Sequence, residues 1–506
     1  MAGVGALSAC TGQPTGSTNA AGPLRLAPSA SPRPGQRVVT ATLTARQGVL
    51  DLGGRSVSTW AYGDSAPGPV IRATAGDFLR ITVHNQLPAG TTVHWHGIRV
   101  SNAADGVPGV TQDPIRPDTS YLYQFTAPDP GTYFYHPHVG VQLDRGLYGP
   151  LVIDDPHEPG NYDAEWIVVL DDWTDDVGPS PDDILQGYKD QRGTVGPGMN
   201  GGMVPGSYPS DGDDDGGMGG MGDGGMGGGG MGMGMGDGTG GSSSSLGDAG
   251  DIAYPYYLIN GRIPDAPATF NAHAGQRVRI RLINAAADTV FKVALGGHTL
   301  NVTHADGYPV VPAQARAVYI GMGERYDMTV TLGSGVFPLV ARPEGKSGTA
   351  FAVVRTAAGS APTPTSAVPE LDGNALLATQ LTAADSVRLS VNKPDRTLDV
   401  QLNGQMKPYA WGINGRQYGQ DTPLTVRPGQ RLRLRMTNMT TMVHPMHIHG
   451  HVWGLPASGG LRKDTVLVLP MQTIEADLQA DNPGVWAYHC HNQYHAETGM
   501  MTTLRY

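Results

Sequence analysis

Short segments in which apolar and polar residues alternate, or in which β-branched residues predominate, recur along the chain and predict β-strands. Residues 78–83, 278–283 and 431–436 are clear examples, and Gly, Pro, Asn and Asp bound them. Long stretches with the 3.6-residue period of an amphipathic helix are hard to find. The pattern therefore predicts an all-β protein assembled from β-sandwiches.

One sequence template occurs three times. The copies are residues 76–85, 275–284 and 429–438, each of which begins with Gly and ends with Asn. An Asn-Gly-Arg step precedes the second and third copies, at Asn260 and Asn414. Duplication at this interval, in a chain of 506 residues, predicts three copies of one sandwich domain.

We expect the three domains to cover residues 37–158, 159–370 and 371–506, with residues 1–36 in front of them. The formal net charge of −11 argues against a nucleic-acid partner. No apolar stretch approaches the length that a bilayer-spanning helix needs. Membrane contact would thus require an anchor outside the domains.

Cys10 follows Leu-Ser-Ala, which is typical of a bacterial lipobox, where the cysteine becomes lipid-modified. The residues before it are few and include no basic side chain, so either a lipoprotein signal is truncated or the match is chance. We favour the truncated signal, with residues 11–36, rich in Ser, Pro, Gly and Ala, as a tether. This predicts an exported protein of the cell envelope or exterior, anchored at Cys10.

The most informative motif lies near the C-terminus, where Cys490 stands between His489 and His491 and is followed by His495 and Met500. Two histidines, one cysteine and a weak methionine make up a blue-copper electron-transfer site, so one more histidine must come from elsewhere. Successive side chains of a strand face opposite sides, so His489 and His491 would point together, away from Cys490. Two metal centres on opposite faces of one strand would then be joined by a few covalent bonds.

Further histidines are paired two residues apart, a spacing that places both imidazoles on one face of a strand. The pairs are His94 and His96, His136 and His138, and His447 and His449. His444 lies an odd number of residues from the last pair and can therefore serve the opposite face. With His489 and His491, eight imidazoles in four pairs indicate a second, larger metal site.

These four motifs, in this order, resemble those of the multicopper oxidases, the three-domain, laccase-like family that reduces dioxygen to water. The resemblance runs from about Val38 to the end of the chain. Segments 162–166 and 255–262 are most similar to actinobacterial, mycobacterial-type lipoprotein copper oxidases. The resemblance to the multicopper oxidases implies three cupredoxin-like Greek-key sandwiches. The middle copy has only isolated histidines, which are more often structural, at His273, His298 and His304. The copper cluster is therefore expected between domains one and three, with domain two as a spacer that fixes the other two.

The resemblance also implies four copper ions and their ligands. Type 2 copper would take His94 and His447; the type 3 pair would take His96, His136, His138, His449, His489 and His491; type 1 copper would take His444, Cys490 and His495, with Met500 as a long axial ligand. Cys490 would carry electrons from the type 1 site to the cluster, where dioxygen is reduced.

Acidic residues near these motifs are candidates for proton delivery. The resemblance implies that role for Asp105. The alternative interpretation is that Asp105 and the following glycine simply form a turn. Several bacterial relatives have a glutamate directly after the last type 1 histidine, where this chain has Ala496; Glu497 would point elsewhere on a strand. Asp464 would either orient an imidazole or form a salt bridge at a strand end.

Between residues 199 and 250 the composition falls to Gly, Met, Asp and Ser, with eight methionines, and no stable structure is expected there. Thioether sulfur selects Cu(I), and Met442 matches a Cu(I)-contacting methionine of related oxidases. We therefore predict an oxidase of Cu(I), and of phenols or aromatic amines, that acts in copper tolerance. A general laccase is the main alternative, and a non-catalytic copper-sequestering lipoprotein is another.

Overall fold

The structure is a computed structural model that describes residues 31–158, 160–191, 246–248, 250–389 and 393–506. Cys10 and the eight methionines between residues 199 and 235 lie outside these residues. Within the described part of the chain, the strands form six sheets, which pair into three sandwiches. The predicted all-β class is confirmed.

The first sandwich contains sheets of order β2-β1-β4-β6 and β3-β8-β7-β5. Its strands are β1 (Val38–Asp51), β2 (Ser56–Tyr62), β3 (Ile71–Thr74), β4 (Phe78–Gln86), β5 (His94–His96), β6 (Thr119–Thr126), β7 (Gly131–His136) and β8 (Gly149–Asp154), with 3₁₀ turns at Asn102–Ala104 and Gln142–Arg145.

The second sandwich contains sheets of order β10-β9-β12-β17-β14-β15 and β11-β19-β18-β13-β16. Its elements are β9 (Ala164–Trp173), helix α1 (Pro181–Asp190), β10 (Tyr256–Ile259), β11 (Ala268–Asn271), β12 (Arg277–Asn284), β13 (Phe291–Leu295), β14 (Leu300–Ala305), β15 (Tyr308–Ala315), β16 (Val318–Ile320), β17 (Arg325–Thr331), β18 (Val336–Pro343) and β19 (Ala350–Arg355), with 3₁₀ turns at Pro369–Leu371 and Ala378–Gln380.

The third sandwich contains sheets of order β21-β20-β23-β28-β25-β26 and β22-β30-β29-β24-β27. Its elements are β20 (Arg396–Gln405), β21 (Ala410–Ile413), β22 (Leu424–Thr425), β23 (Arg431–Asn438), β24 (His444–Ile448), β25 (Trp453–Leu455), β26 (Leu461–Lys463), β27 (Thr465–Val468), β28 (Thr473–Gln479), β29 (Val485–Cys490), helix α2 (Gln493–Glu497) and β30 (Met501–Arg505), with a 3₁₀ turn at Pro456–Ser458.

The three sandwiches share one topology. In each, the first strand runs parallel to the strand that carries the repeated template: β1 to β4, β9 to β12 and β20 to β23. A second parallel pair closes the other sheet: β3 with β8, β11 with β19 and β22 with β30. The duplication seen in the sequence is thus a duplication of strand order.

The asparagine that ends each template has the same contacts in every sandwich. The side-chain oxygen of Asn85, Asn284 or Asn438 accepts a hydrogen bond from the backbone N–H two residues later. The side-chain amide donates to two backbone carbonyls. All three asparagines are buried. Because buried backbone groups need partners, this bonding explains why the template ends in Asn.

The Asn-Gly-Arg steps are turns beside these sheets. Asn260 and Asn414 have φ angles of 51° and 53°, in the left-handed region that asparagine tolerates better than most residues. Their side-chain oxygens accept hydrogen bonds from the N–H groups of Val169 and Gln401, on the first strand of each sandwich. No helix in the described ranges is both long and apolar enough to cross a membrane.

Candidate metal centres

The histidine pairs lie on neighbouring antiparallel strands in the first and third sandwiches. On β5 and β7, His94 is opposite His136. On β24 and β29, His447 is opposite His489. Strand β5 contains both His94 and His96. Strands β7, β24 and β29 end at His136, Ile448 and Cys490, just before the second histidine of their pairs. The paired rings still lie side by side, with centroids 5.0 to 6.4 Å apart.

The two sandwiches bring these pairs face to face. The ring of His94 stacks on that of His449 with centroids 3.7 Å apart, and His96 stacks on His447 at 3.9 Å. His491 lies 4.8 Å from His96 and 5.2 Å from His136, also measured between centroids. All eight imidazoles are buried, so the predicted meeting of the first and third units is observed.

In several of these rings, one nitrogen is hydrogen-bonded to the protein and the other faces the cluster. Nδ1 of His94, His136, His447 and His489 donates to a backbone carbonyl, at 2.8 to 2.9 Å. The buried nitrogens without a protein partner are Nε2 of His94, His136 and His447, Nδ1 of His96, and both nitrogens of His491. Nε2 of His489 lies 3.3 Å from Nε2 of His138 and 3.0 Å from that of His449. Nitrogens left in this way are suited to metal ligation.

Burial favours the neutral form of seven of these eight imidazoles. It lowers the pKa of His96, His136, His138, His447, His449 and His491 below the ordinary histidine value, and neighbouring histidines lower most of them further. The pKa of His489 falls to about 3, again mainly through burial. Neutral imidazole is the form that binds metal.

A second donor group lies on the opposite side of β29. Sγ of Cys490 is 3.7 Å from Nδ1 of His444 and 3.7 Å from Nδ1 of His495, and these two nitrogens are 3.1 Å apart. Met500 is fully buried, and its backbone carbonyl accepts a hydrogen bond of 3.0 Å from the N–H of Cys490. Burial raises the pKa of the Cys490 thiol, so the free thiol keeps its proton and a bound metal would have to displace it.

Comparisons with known proteins agree with this geometry. Family models described as multicopper oxidase match residues 44–158, 231–359 and 391–506. Multicopper oxidase MmcO of Mycobacterium tuberculosis is 48% identical, over 99% of this chain and 94% of the relative. The chain belongs to the multicopper oxidase family.

Two further relatives extend the comparison. Copper resistance protein A of Escherichia coli is 28% identical to the oxidase, over 92% of each chain. The crystal structure of a multi-copper oxidase from Pseudomonas thermotolerans is 26% identical, with a TM-score of 0.65 over 93% of the oxidase and 99% of that chain. The oxidase is therefore a copper-dependent oxidoreductase that uses dioxygen, built from cupredoxin-like domains.

Three residues that the sequence did not single out surround the Cys490 group. Thr440 forms a 2.8 Å hydrogen bond through its hydroxyl with Nε2 of His444. Nε2 of His495 donates to the carboxylate of Asp251 at 3.1 Å, and the indole of Trp411 stacks on the His495 ring at 4.0 Å. Both histidines are fully buried. The outer edges of the two imidazoles are thus covered by protein.

Asp105 lies between imidazoles that come from two sandwiches of the oxidase. Its carboxylate accepts a hydrogen bond from Nδ1 of His449 at 3.1 Å and lies 3.2 Å from Nδ1 of His94. Burial raises the pKa of the Asp105 carboxyl, and the adjacent His94 ring opposes that shift. A carboxyl in this environment can hold a proton at the edge of the cluster.

Both predicted roles of Asp464 are present together. Its carboxylate accepts two hydrogen bonds of 2.7 Å from the guanidinium of Arg325, and its backbone carbonyl accepts one of 2.9 Å from Nδ1 of His447. Burial favours the neutral acid, but Arg325 and His447 hold the pKa of Asp464 well below its ordinary value.

The expectation of a strand at Glu497 is wrong, because Gln493–Glu497 forms helix α2. The Asn492 side chain caps this helix by accepting hydrogen bonds from the N–H groups of Tyr494 and His495. The helical turn places Nδ1 of His495 3.7 Å from Sγ of Cys490. Ala496 is buried, and burial raises the pKa of Glu497.

The isolated histidines of the middle sandwich lie outside the donor groups found among the described residues. His298 donates to the carbonyl of Gly296 and accepts from the N–H of Gly333. His304 lies beside Thr303 and Asp327. His273 is exposed to solvent. These contacts fit the structural role expected of isolated histidines.

A narrow pocket adjoins the Cys490 group. Met442, which is two residues before His444, and Met322 contribute to its wall, and both are buried. The other lining residues are Leu246, Asp248, Gly250, Asp288, Val290, Glu344, Val443 and Asn492. Asp248 also forms an isolated β-bridge with Met442. The end of the methionine-rich insert therefore packs directly against the His444 segment.

Proposed function

We propose that the two donor groups hold four copper ions. The type 1 ion would be bound by Cys490, His444 and His495, with Met500 at longer range; the type 2 ion by His94 and His447; and the type 3 pair by His96, His136, His138, His449, His489 and His491. The buried ring nitrogens without partners and the Cys490 thiol support this assignment. Imidazole with thiolate is a donor set that copper prefers.

The observation that carries the proposal is the position of Cys490 between the two groups. Its thiol faces one group, while the histidines on either side of it belong to the other. Copper bound in these places supplies the one-electron chemistry that couples oxidation of a reductant to reduction of dioxygen to water. Cys490 connects the two groups through its own bonds and those of its neighbours.

Protons for dioxygen reduction need a donor at the cluster. Asp105 is our candidate because its carboxylate contacts His449 and lies beside His94, without solvent exposure. The protein also excludes water from this region, since all eight imidazoles are buried. Asp105 would hold the proton at a carboxylate oxygen and release it inside the cluster.

We propose Cu(I) as the principal substrate and copper tolerance as the physiological role. The thioethers of Met442 and Met322 are soft donors that favour Cu(I), and Asp248 adds negative charge to the same pocket. The covered edge of His495 disfavours direct contact with a bulky phenol. A relative named copper resistance protein A is consistent with this role. Export, with a lipid anchor at Cys10, completes the proposal.

The first test is copper content and spectroscopy of the reconstituted protein. We expect four copper ions per chain and an intense blue absorption band. Cys490→Ser should lose the band and one copper ion while it retains the type 2 electron paramagnetic resonance (EPR) signal, because only the type 1 group uses this thiol. Well under four copper ions in the parent protein, or zinc in their place, would refute the ligand assignment.

Kinetics then separate Cu(I) oxidation from phenol oxidation. We expect Met442→Leu to raise the KM for Cu(I) about tenfold and to leave phenol turnover unchanged, since leucine keeps the volume but removes the sulfur. Met328→Leu, at a buried methionine of β17, is the control. Deletion of residues 199–245 should also impair Cu(I) oxidation. Cu(I) oxidation that is insensitive to these changes, with vigorous phenol turnover, would favour a general laccase.

A further inference from the structure

Arg325, at the start of β17 in the middle sandwich, contacts both other sandwiches. Its guanidinium donates two hydrogen bonds of 2.7 Å to the carboxylate of Asp464 in the third sandwich. Its Nε donates to the backbone carbonyl of Thr132 in the first sandwich, at 3.0 Å. The side chain has no exposed surface. A planar, doubly bonded guanidinium fixes the orientation of its carboxylate partner as well as its position.

The residues held by Arg325 contact two cluster imidazoles. Nδ1 of His447 lies 2.9 Å from the backbone carbonyl of Asp464 and 3.0 Å from the hydroxyl of Thr465. Nε2 of His96 lies 3.2 Å from the same hydroxyl and 3.3 Å from the Asp464 carboxylate. The remaining nitrogen of each ring is buried without a partner and faces the cluster. The Asp464–Thr465 segment thus contacts the outward nitrogens of two rings that come from different sandwiches.

Two glycines permit this close packing. A Cβ on Gly97, next to His96, would overlap Nη2 of Arg325 and lie 2.7 Å from the carboxylate of Asp464. A Cβ on Gly323 would lie 2.8 Å from the ring of His491 and 2.9 Å from that of His96. The middle sandwich therefore touches the cluster itself, which a mere spacer would not do.

A second set of buried charges holds the backbone of the same segment. The carboxylate of Asp306 accepts hydrogen bonds from the N–H groups of Asp464 and Thr465, at 3.2 and 3.1 Å. Lys463 lies 3.1 Å from Asp306 and 2.9 Å from Glu324. With the backbone fixed by Asp306, the Asp464 side chain is oriented by the two hydrogen bonds from Arg325 and by one of 2.9 Å from the Thr465 hydroxyl.

We propose that Arg325 is a positioning residue for the copper cluster: through Asp464 and Thr465 it sets the orientation of His447 and His96. This inference rests on the ligand assignment proposed above. It gives the middle sandwich, which supplies no predicted copper ligand, a direct part in building the site. Partners that orient metal-binding histidines typically contribute about 10- to 100-fold to metal affinity.

The test compares copper binding in Arg325→Met with that in Arg281→Met. Arg281 is a matched control because it is also buried in the middle sandwich, pairs with Asp327 and Glu165, and bonds to the Thr132 hydroxyl. Its hydrogen bonds and ion pairs within the described residues go to Thr132, Asp327 and Glu165 and to no cluster histidine. We expect R325M to weaken copper binding at the cluster by about 10- to 100-fold and to alter the type 2 EPR hyperfine splitting. The blue band should persist, and R281M should match the parent protein in both cluster measurements.

Two milder variants keep the proposal testable if R325M does not fold. Arg325→Lys keeps the charge but cannot form both bonds to Asp464, and Thr465→Val removes the hydroxyl while preserving shape. Each should weaken cluster copper by a smaller factor and shift the EPR signal. Normal cluster affinity and an unchanged EPR signal in these variants, or an equal loss in R281M, would overturn the role of Arg325. A parent protein without cluster copper would instead overturn the ligand assignment, and this inference with it.

Discussion

Acidification should destabilise the metal-free protein because so many buried imidazoles must be neutral in the fold. Eight histidines have strongly lowered pKa values, chiefly through burial: His96, His136, His138, His444, His449, His451, His489 and His491. Each binds a proton in the unfolded chain below pH about 6.5 but not in the folded one. Their stabilising contribution is therefore complete above that pH and is lost as the pH falls.

Buried carboxyl groups act in the opposite direction. Burial raises the pKa of Asp172 and Asp306 to about 6, and it raises that of Asp144 and Asp171 well above the ordinary value. These groups hold protons in the fold that the unfolded chain releases above pH about 4, so acidification to pH 5.5 favours the fold through them. The pKa values of two more histidines are lowered and those of three more carboxyls are raised, and these shifts have opposite effects on stability. The groups are His304, His447, Asp105, Asp175 and Glu497.

The balance favours unfolding. Eight histidines of this kind oppose four carboxyls. Between pH 7.5 and 5.5, His451 and His489, with pKa values of about 4 and 3, each remove roughly 1.4 kcal/mol of stability, whereas Asp172 and Asp306 each restore about 0.8 kcal/mol. At pH 5.5 unfolding should therefore take up a net number of protons. Calorimetry of the metal-free protein in buffers with different ionisation enthalpies measures that number without assuming a two-state transition.

A single variant checks the origin of these protons. His451 is not a proposed copper ligand, and its pKa is lowered to about 4 by burial. His451→Gln should reduce proton uptake at pH 5.5 by about one. Proton release on unfolding at pH 5.5, or stability that rises between pH 7.5 and 5.5, would refute the assignment of these imidazoles as buried and neutral.

Two further outcomes follow from contacts around the type 1 group. Thr440→Val removes the hydroxyl bonded to Nε2 of His444, so the blue band or its reduction potential should shift while the type 2 EPR signal does not; an unaltered type 1 site would contradict this. Asn438→Ala leaves the buried carbonyls of Met442 and Val468 without their amide donor, and should lower the free energy of unfolding by about 3 kcal/mol, measured by urea denaturation. Asn284 occupies the position in the middle sandwich that Asn438 occupies in the third. Asn284→Ala should therefore lower the free energy of unfolding by a similar amount and leave the blue band unchanged.

The fold and the donor residues could be predicted from the sequence because both follow short, regular spacings. A period of two residues placed each histidine pair on one side of the chain, and the odd offset of His444 assigned it to Cys490. The threefold template indicated repeated sandwiches, of which only two carry paired histidines. Metal assignment to particular residues nevertheless stays a prediction until copper is measured.

The surroundings of the donors could not be predicted in the same way. Asp251 and Arg325 are far in sequence from the histidines they support, and no spacing relates them. Their partners are set by how three sandwiches pack. The helix at Gln493–Glu497 is a different case, since Asn492 is a favourable N-cap residue. The histidine spacing that predicts the strand before Asn492 does not show where that strand ends.

The middle sandwich contacts both of the sandwiches that supply the imidazoles. A cluster formed by opposing imidazoles depends on ring positions to within about 0.5 Å. The middle sandwich holds the first through Nε of Arg325, which donates to the backbone carbonyl of Thr132 at 3.0 Å. It holds the third through Asp288, which accepts a hydrogen bond from the Asn492 side chain. The middle copy, which has no paired histidines, thus contacts both other sandwiches, and Arg325 extends these contacts to the segment that bonds the proposed metal-binding rings.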